Sequence, residues 1–265
     1  MRLSFLIIVM SMFITGFSQE NIDSEENTQN VFFANKAIYT YTTNKFNVRY
    51  IDGKIEVTNT IGSPFLFNEM VPGRLILDDK NLNFRKINYD AFQDHFIVFS
   101  KYAIKNTSTQ LPFYQLNDNS VRIVNVLDRK NVPRVFIHVN SSKFIDKPDT
   151  KFMEIFTTEP SKAYILVSYK KIHDKTHRKV EYMLETWDKK YQFKLKKKYF
   201  LKNTDGFFVE SKLGKSNILK FLNDKKHTKE LKKFIKYNKL NLNNPADVQK
   251  FLEYYYSEIL NKNSK

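Results

Sequence analysis

A change of period near residue 211 divides this 265-residue sequence into two kinds of chain. Before it, short runs rich in β-branched and aromatic residues alternate with turn signals. After it, apolar residues recur at helical spacing. The clearest local signal is Asp52-Gly53, which separates residues 47–51 from residues 54–57. A two-residue Asp-Gly link accepts positive φ at both turn positions and so closes a hairpin. Residues 75–77 and 84–88 bracket a second polar turn, Asp78-Asp79-Lys80-Asn81, and the runs 95–99, 121–127, 134–139, 152–156 and 163–169 continue the series. Adjacent side chains on extended chain point apart, so Asp78 and Asp79 read as turn residues and not as an acid/base pair.

The longest strand signal covers residues 191–201. Tyr191, Phe193, Leu195, Tyr199 and Leu201 fall on one face, while Gln192, Lys194, Lys196, Lys198 and Lys202 fall on the other. The first face is expected to pack and the second to form a ladder of lysines. Ten or so short strands with little helix between them predict an α+β chain, mainly β: an antiparallel sandwich or incomplete barrel followed by a small C-terminal helical segment. In that segment Ile218, Leu219 and Leu222 start one helix, and Leu231, Phe234 and Ile235 mark a second. The third has Asn244 as N-cap, Pro245 at its first position, and Val248, Phe251, Leu252, Tyr255 and Ile259 at helical spacing. Helices this short are marginal alone in water, so their apolar stripes must dock on one another and on the sheet. Of Tyr254, Tyr255 and Tyr256, at most two can face that packing side, which leaves at least one exposed or in an interface.

Residues 1–18 read as a secretory signal peptide, with Arg2 before an apolar run at 6–14 and with Gly16 and Ser18 at the −3 and −1 positions before Gln19. The apolar run is too short to cross a bilayer, and no later stretch is longer. Residues 19–35 follow as an acidic tether, residues 36–211 as the β-rich domain and residues 212–265 as the helical segment packed on the sheet. The sequence contains no cysteine, which excludes disulfide frameworks, thiolate metal sites and cysteine nucleophiles. An exported chain without cysteine fits a bacterial envelope: the periplasm, the periplasmic face of the outer membrane, or the outside of the cell.

Chemistry-bearing motifs are few. Six glycines leave little for phosphate-cradling loops, and Gly214-Lys215-Ser216 lacks the glycine five positions earlier, where Val209 stands. His173 and His177 have the i, i+4 spacing of a zinc pair, but Lys170, Lys171, Lys175, Arg178 and Lys179 surround them and oppose a divalent cation. A polar loop joining two strands is the better reading. His95 and His138 each stand alone within a strand. No catalytic, cofactor or metal residues are assigned, and the chain is read as non-enzymatic. An envelope-polymer hydrolase stays as a third reading, because two carboxylates that meet in space leave no spacing in sequence.

Charge is the feature that stands out. The chain has 44 Lys+Arg against 28 Asp+Glu, yet residues 19–150 hold 16 cations and 15 carboxylates while residues 151–240 hold 24 and 10. Lys194, Lys196, Lys198 and Lys202 on the strand, with Lys225, Lys229, Lys232 and Lys236 on the helix expected beside it, are the candidate anion- or partner-binding residues. Such a field attracts lipopolysaccharide phosphates, acidic glycans or anionic lipid head groups. The alternative partner is an outer-membrane protein complex, with the chain as a structural subunit contacting it through patches such as Tyr254-Tyr255-Tyr256. Export, and lysine in place of the arginine forks that read bases, argue against nucleic acid. Ordinary solvated lysine is the competing reading of the whole region.

Several segments carry a resemblance. Lys196-Lys197-Lys198-Tyr199-Phe200-Leu201, Asp224-Lys225-Lys226, residues 231–236, Asn238-Lys239-Leu240 and the paired tyrosines at the end resemble the C-terminal half of a family of uncharacterised exported proteins of Bacteroidota. Gly62-Ser63-Pro64-Phe65-Leu66, Val71-Pro72-Gly73 and Ile87-Asn88-Tyr89-Asp90 resemble the family's opening β-segment. The resemblance covers most of residues 50–260 and departs around 172–190. It implies a cell-envelope location and a β-rich fold, and it assigns no activity and no site residues.

Overall fold

The structure, a computed structural model, describes residues 33–38, 48–51, 54–57, 60–77, 81–99, 113–116, 121–175 and 191–260. The expected signal peptide, most of the acidic tether, Asp78 and Asp79, and His177 lie outside the described residues. The strands are β1 (Phe33–Ile38), β2 (Val48–Ile51), β3 (Lys54–Val57), β4 (Thr60–Ile61), β5 (Val71–Leu77), β6 (Asn81–Asp90), β7 (His95–Phe99), β8 (Phe113–Leu116), β9 (Val121–Leu127), β10 (Pro133–His138), β11 (Phe152–Ile155), β12 (Ile165–Lys175), β13 (Tyr191–Lys202) and β14 (Phe208–Ser211). Helices α1 (Lys215–Leu222), α2 (Thr228–Tyr237) and α3 (Pro245–Tyr254) come next, and a π-helical turn at Tyr255–Leu260 continues α3. The fold is α+β and mainly β, with its helices near the C-terminus.

A 12-stranded sheet has the order β1-β8-β7-β6-β5-β9-β10-β11-β12-β13-β14, with β4 attached to β13, and β2 and β3 form the expected hairpin apart from it. Two meanders explain the order. β5 to β8 run outward in one direction, then β9 returns to the free edge of β5 and β9 to β14 run outward in the other. At this junction Gly73 fits where a Cβ would meet Ile87 Cγ2 at 2.5 Å and Asn125 O at 3.0 Å, so only glycine lets β6 and β9 close on both sides of β5. The sheet is not wholly antiparallel, as its sequence suggested, because β4 pairs parallel with β13. Strands so distant in sequence are free of hairpin geometry, which is what makes that orientation available.

The sheet is open but strongly curled. β7 and β11 are five positions apart in strand order, about 24 Å if the sheet were flat. Yet the Phe96 and Phe152 rings, one on each, lie 5.1 Å apart, and Phe136 on β10 is 5.5 Å from Phe96. The concave face closes on these aromatics, which makes the incomplete barrel the better of the two expected descriptions. Residues 60–69 form a strap across the gap. β4 rests on β13, Phe65 bridges Asp90 at the end of β6, and Leu66 N donates to Tyr89 O at 2.8 Å. The buried Asn88 amide then holds the strap's end, donating to the carbonyls of Phe67 and Glu69 and accepting from Phe67 N.

The helices cover the concave side. Leu231 and Ile235 of α2 and Val248, Phe251 and Leu252 of α3 join the same core cluster as Ile165, Val167, Tyr169 and Leu201 of the sheet. Gln249, also buried, accepts from Tyr164 N and donates to Lys162 O, so a polar clamp fixes α3 to the start of β12. Asn244 caps α3 as its sequence predicts, accepting from Ala246 N at 3.0 Å. A smaller cluster of Phe144, Met153, Ile155, Leu166 and Phe200 lies on the opposite face. Among the described residues, no helix is long and apolar enough to cross a membrane.

Candidate functional site

Of the eight candidate lysines, Lys194, Lys196 and Lys198 lie on the opposite side of the sheet from those of α2. Lys194, Lys196 and Lys198 share the strand parity of Phe200, on the face away from the helices, whereas α2 lies on the concave side with Tyr199 and Leu201. The single basic surface expected from sequence is therefore two surfaces with β13 between them.

On β13 two of the four ladder lysines, Lys194 and Lys198, are paired with carboxylates of neighbouring segments. Lys194 Nζ lies 3.0 Å from Asp174 on β12. Lys198 reaches Glu210 on β14 at 3.2 Å and Asp149 at 3.6 Å, and the same Asp149 pairs with Lys170 at 3.6 Å. The hydrogen bond with Glu210 leads the influences that raise the Lys198 pKa. Lys202 sits over the Tyr164 ring at 5.7 Å, and its carbonyl accepts from the Tyr256 hydroxyl. Lys196 stands opposite Lys170 across the strand pair and is exposed. Nor are the two faces of β13 as clean as alternation suggests. Phe200 is buried on the lysine face, while Leu195 and Lys197 are exposed in the middle of the apolar one. The reason is uneven cover, since the helices reach only the β13 end that holds Tyr199 and Leu201.

On α2 the situation is reversed. Leu231, Phe234 and Ile235 turn inward, and Lys229, Lys232, Lys233 and Lys236 occupy the outer arc, all exposed. Lys225 and Lys226 extend this surface just before the helix, also exposed. Residues 224–239 contain seven lysines and two carboxylates. Both carboxylates are engaged elsewhere: Asp224 with His227 at 2.8 Å, and Glu230 as acceptor for the Tyr254 hydroxyl at 3.0 Å. Among the described residues no carboxylate lies within ion-pair distance of the four α2 lysines. At the C-terminal end of this arc Tyr237 is 88% exposed, by far the most exposed large side chain of the core-forming type described.

The three consecutive tyrosines are all used internally, contrary to the expectation that one would be left over. Tyr254 stacks on Phe234 at 3.7 Å, Tyr255 is buried, and Tyr256 stacks on Tyr164 at 4.8 Å. The wider π winding that begins at Tyr255 turns Tyr256 toward the sheet, while Tyr254 stays against α2. The His173 loop is also corrected. His173 is within β12, its ring stacked on Tyr191 at 4.9 Å and its Nε2 3.3 Å from Thr60 Oγ1. It serves the seam between β4 and β13. Among the described residues, no group of His, Cys, Asp and Glu is arranged to hold a metal ion.

Two polar clusters had no signal in the sequence. Arg134 forms a bidentate pair with Glu154 at 2.6 and 2.9 Å, Tyr169 donates its hydroxyl to the same carboxylate, and the Phe67, Phe136 and Tyr169 rings lie 5.1–5.3 Å from the guanidinium carbon. All of these groups are inside the curled sheet. The second cluster holds the strap. Lys171 Nζ donates to the carbonyls of Ser63 and Phe65, and its backbone N donates to Ala91 O. Desolvation pushes its pKa down to about 8, partly offset by the charge of Asp90. Asp90, fully buried, accepts from the amides of Phe92 and Gln93 and lies 4.0 Å from His95 Nε2. Burial raises Asp90 to about 7 and lowers His95 to about 4, with Lys151 adding to the shift of His95. Both clusters are built from distant strands and satisfy backbone or side-chain partners, which is the behaviour of seams rather than of an open cleft.

Comparison with protein-family models, with curated proteins and with solved structures found no match. The functional reading rests on the chain's own residues.

Proposed function

We propose that this chain is a non-enzymatic exported cell-envelope protein that holds an anionic surface or partner against the outer face of α2. The export signal at residues 1–18, the absence of cysteine and the resemblance to exported proteins of Bacteroidota support the location. The single observation that carries the binding role is the set of four exposed lysines on one arc of α2, none of them within ion-pair distance of a carboxylate among the described residues. Lys229 and Lys232, Lys229 and Lys233, Lys232 and Lys236, and Lys233 and Lys236 stand at i, i+3 or i+4, where like charges repel and weaken a helix. A surface that keeps four such repulsions gains from an external anion. The basic region is thereby narrowed from residues 151–240 to α2 and its approach, with Lys225, Lys229, Lys232 and Lys236 as its core.

Retention on a heparin column tests this reading. Wild-type protein should elute only at raised salt, and K229Q/K232Q/K233Q/K236Q should elute near the start of the gradient. K194Q/K196Q/K198Q should change elution little. Equal elution of the α2 variant and the wild type would refute the role given to α2.

A further inference from the structure

An anion-binding role for α2 leaves the chemistry of the anion open, and the shape of the α2 face narrows it; the narrower assignment rests on that role. Lys229 to Lys236 span eight residues of one helix, about 10 Å along its axis. They project from a convex surface, so their ammonium groups diverge. Diverging donors cannot converge on one small phosphate or carboxylate, and lysine lacks the planar fork with which arginine grips such a group. Four separated point charges instead match an extended surface that presents many anions at once. An acidic protein partner would be such a surface, but a stable protein interface has an apolar and aromatic centre within its polar rim. The outer arc of α2 offers a single aromatic residue, Tyr237, at its end and none among the lysines. A tyrosine in that place, with an apolar ring and a polar tip beside lysines, has the character of side chains that settle at the head-group level of a bilayer. No helix among the described residues is built to cross the hydrocarbon, so contact of this kind would be peripheral.

We propose that α2 is a membrane-surface contact: Lys229, Lys232, Lys233 and Lys236 lie against anionic lipid head groups, with Tyr237 at the interface. The curled sheet then faces away from the bilayer, because the helices cover its concave side and present their outer surface to the lipid. The lysines of β13, on the other face of the sheet, take no part.

Flotation of the full mature chain with vesicles of 30% phosphatidylglycerol in phosphatidylcholine tests the proposal, with pure phosphatidylcholine vesicles as the uncharged comparison. Binding should occur only with the anionic vesicles and fall steeply with salt. K229Q/K232Q/K233Q/K236Q should lower the partition coefficient roughly a hundred- to a thousandfold at low salt, from the attraction expected per lysine near such a surface. Tyr237→Ala should lower it several-fold, and K194Q/K196Q/K198Q should leave it unchanged. Glutamine keeps helix propensity close to that of lysine, and unchanged circular dichroism would show that the fold persists. If the quadruple variant floats like the wild type, the proposal is overturned. Heparin retention that depends on α2, without flotation on anionic vesicles, would also overturn it while leaving the broader anion-binding reading intact. Failure of both assays would remove both.

Discussion

β13 and α2 have nearly the same lysine content, five in twelve residues and four in ten, yet they use it in opposite ways. A strand inside a sheet has neighbours about 4.8 Å away on each side, and β12 and β14 supply Asp174 and Glu210 to its lysines. Among the described residues no element covers the outer arc of α2, so a lysine there keeps its charge for whatever approaches. Lysine density therefore locates a basic segment, but the element that carries the lysines decides whether their charge is available. Lys171 goes further, a half-buried cation that holds two strap carbonyls.

The anchors beneath each lysine surface give the largest expected effects. Phe200→Ala should cost about 3–5 kcal/mol, because its ring fills the small cluster with Phe144, 5.4 Å away. Leu231→Ala, beneath the α2 lysines, should cost about 2–5 kcal/mol. Urea denaturation of the two variants checks both. A cost below about 1 kcal/mol for Leu231→Ala would mean that α2 is not held on the sheet, and the contrast between a docked helix and an inserted strand would fail.

The buried end of the comparison is tested by pH. Asp90 is raised, so between about pH 4 and 7 the folded protein binds a proton that the unfolded chain has released, and stability falls as pH rises. His95 is lowered, so between about pH 4 and 6.5 the unfolded chain binds the extra proton and stability rises with pH. Lys171 is also lowered, so its contribution rises between about pH 8 and 10.5. Below pH 6.5 the first two slopes oppose each other. Asp90→Asn, which keeps the acceptor for the Phe92 and Gln93 amides, should unmask the His95 slope, and the stability of the variant relative to wild type should rise from pH 4 to 6.5. His95→Asn should unmask the Asp90 slope and show the reverse trend. Parallel pH profiles of urea midpoint for wild type and both variants would show that Asp90 and His95 are not protonated as their burial dictates.

Local chemistry was the part of this molecule that could be read in advance. The Asp-Gly hairpin, the extents of β7 and β9, and the Asn244-Pro245 start of α3 each depend on residues adjacent in sequence, and each is found as expected. What depends on strand order was not legible. Asp90 and Lys171 are 81 positions apart, and nothing in either segment announces that β6 and β12 meet when the sheet curls. The separation of the two lysine groups was hidden for the same reason, since strand and helix periodicity gives the faces of each element but not the side of the sheet on which a helix docks. The β12 extension through His173 was missed because its charged residues resemble a loop; pairing with β13 along its whole length overrides that preference.

The smallest expected effect is also the most direct test of the contrast, because it is one of sign. Lys198→Gln removes pairs with Glu210 and Asp149 at a site that is 42% exposed, and solvent screening limits such pairs to about 0.2–1 kcal/mol, so the protein should lose stability by that amount. Lys232→Gln removes repulsion from Lys229 and Lys236 at about 0.2–0.5 kcal/mol each, with no carboxylate at i±3 or i±4 to offset it, and should gain stability by roughly 0.4–1 kcal/mol. The same chemical change thus has opposite consequences on β13 and on α2. Both differences come from exposed charges, so 1 M salt, with a screening length of about 3 Å, should shrink both toward zero. Thermal unfolding of the two variants at low and high salt measures the pair of signs and their screening together. If Lys232→Gln destabilises the protein at low salt, the outer arc of α2 holds a counter-charge for it, and the distinction between the strand lysines and the helix lysines disappears.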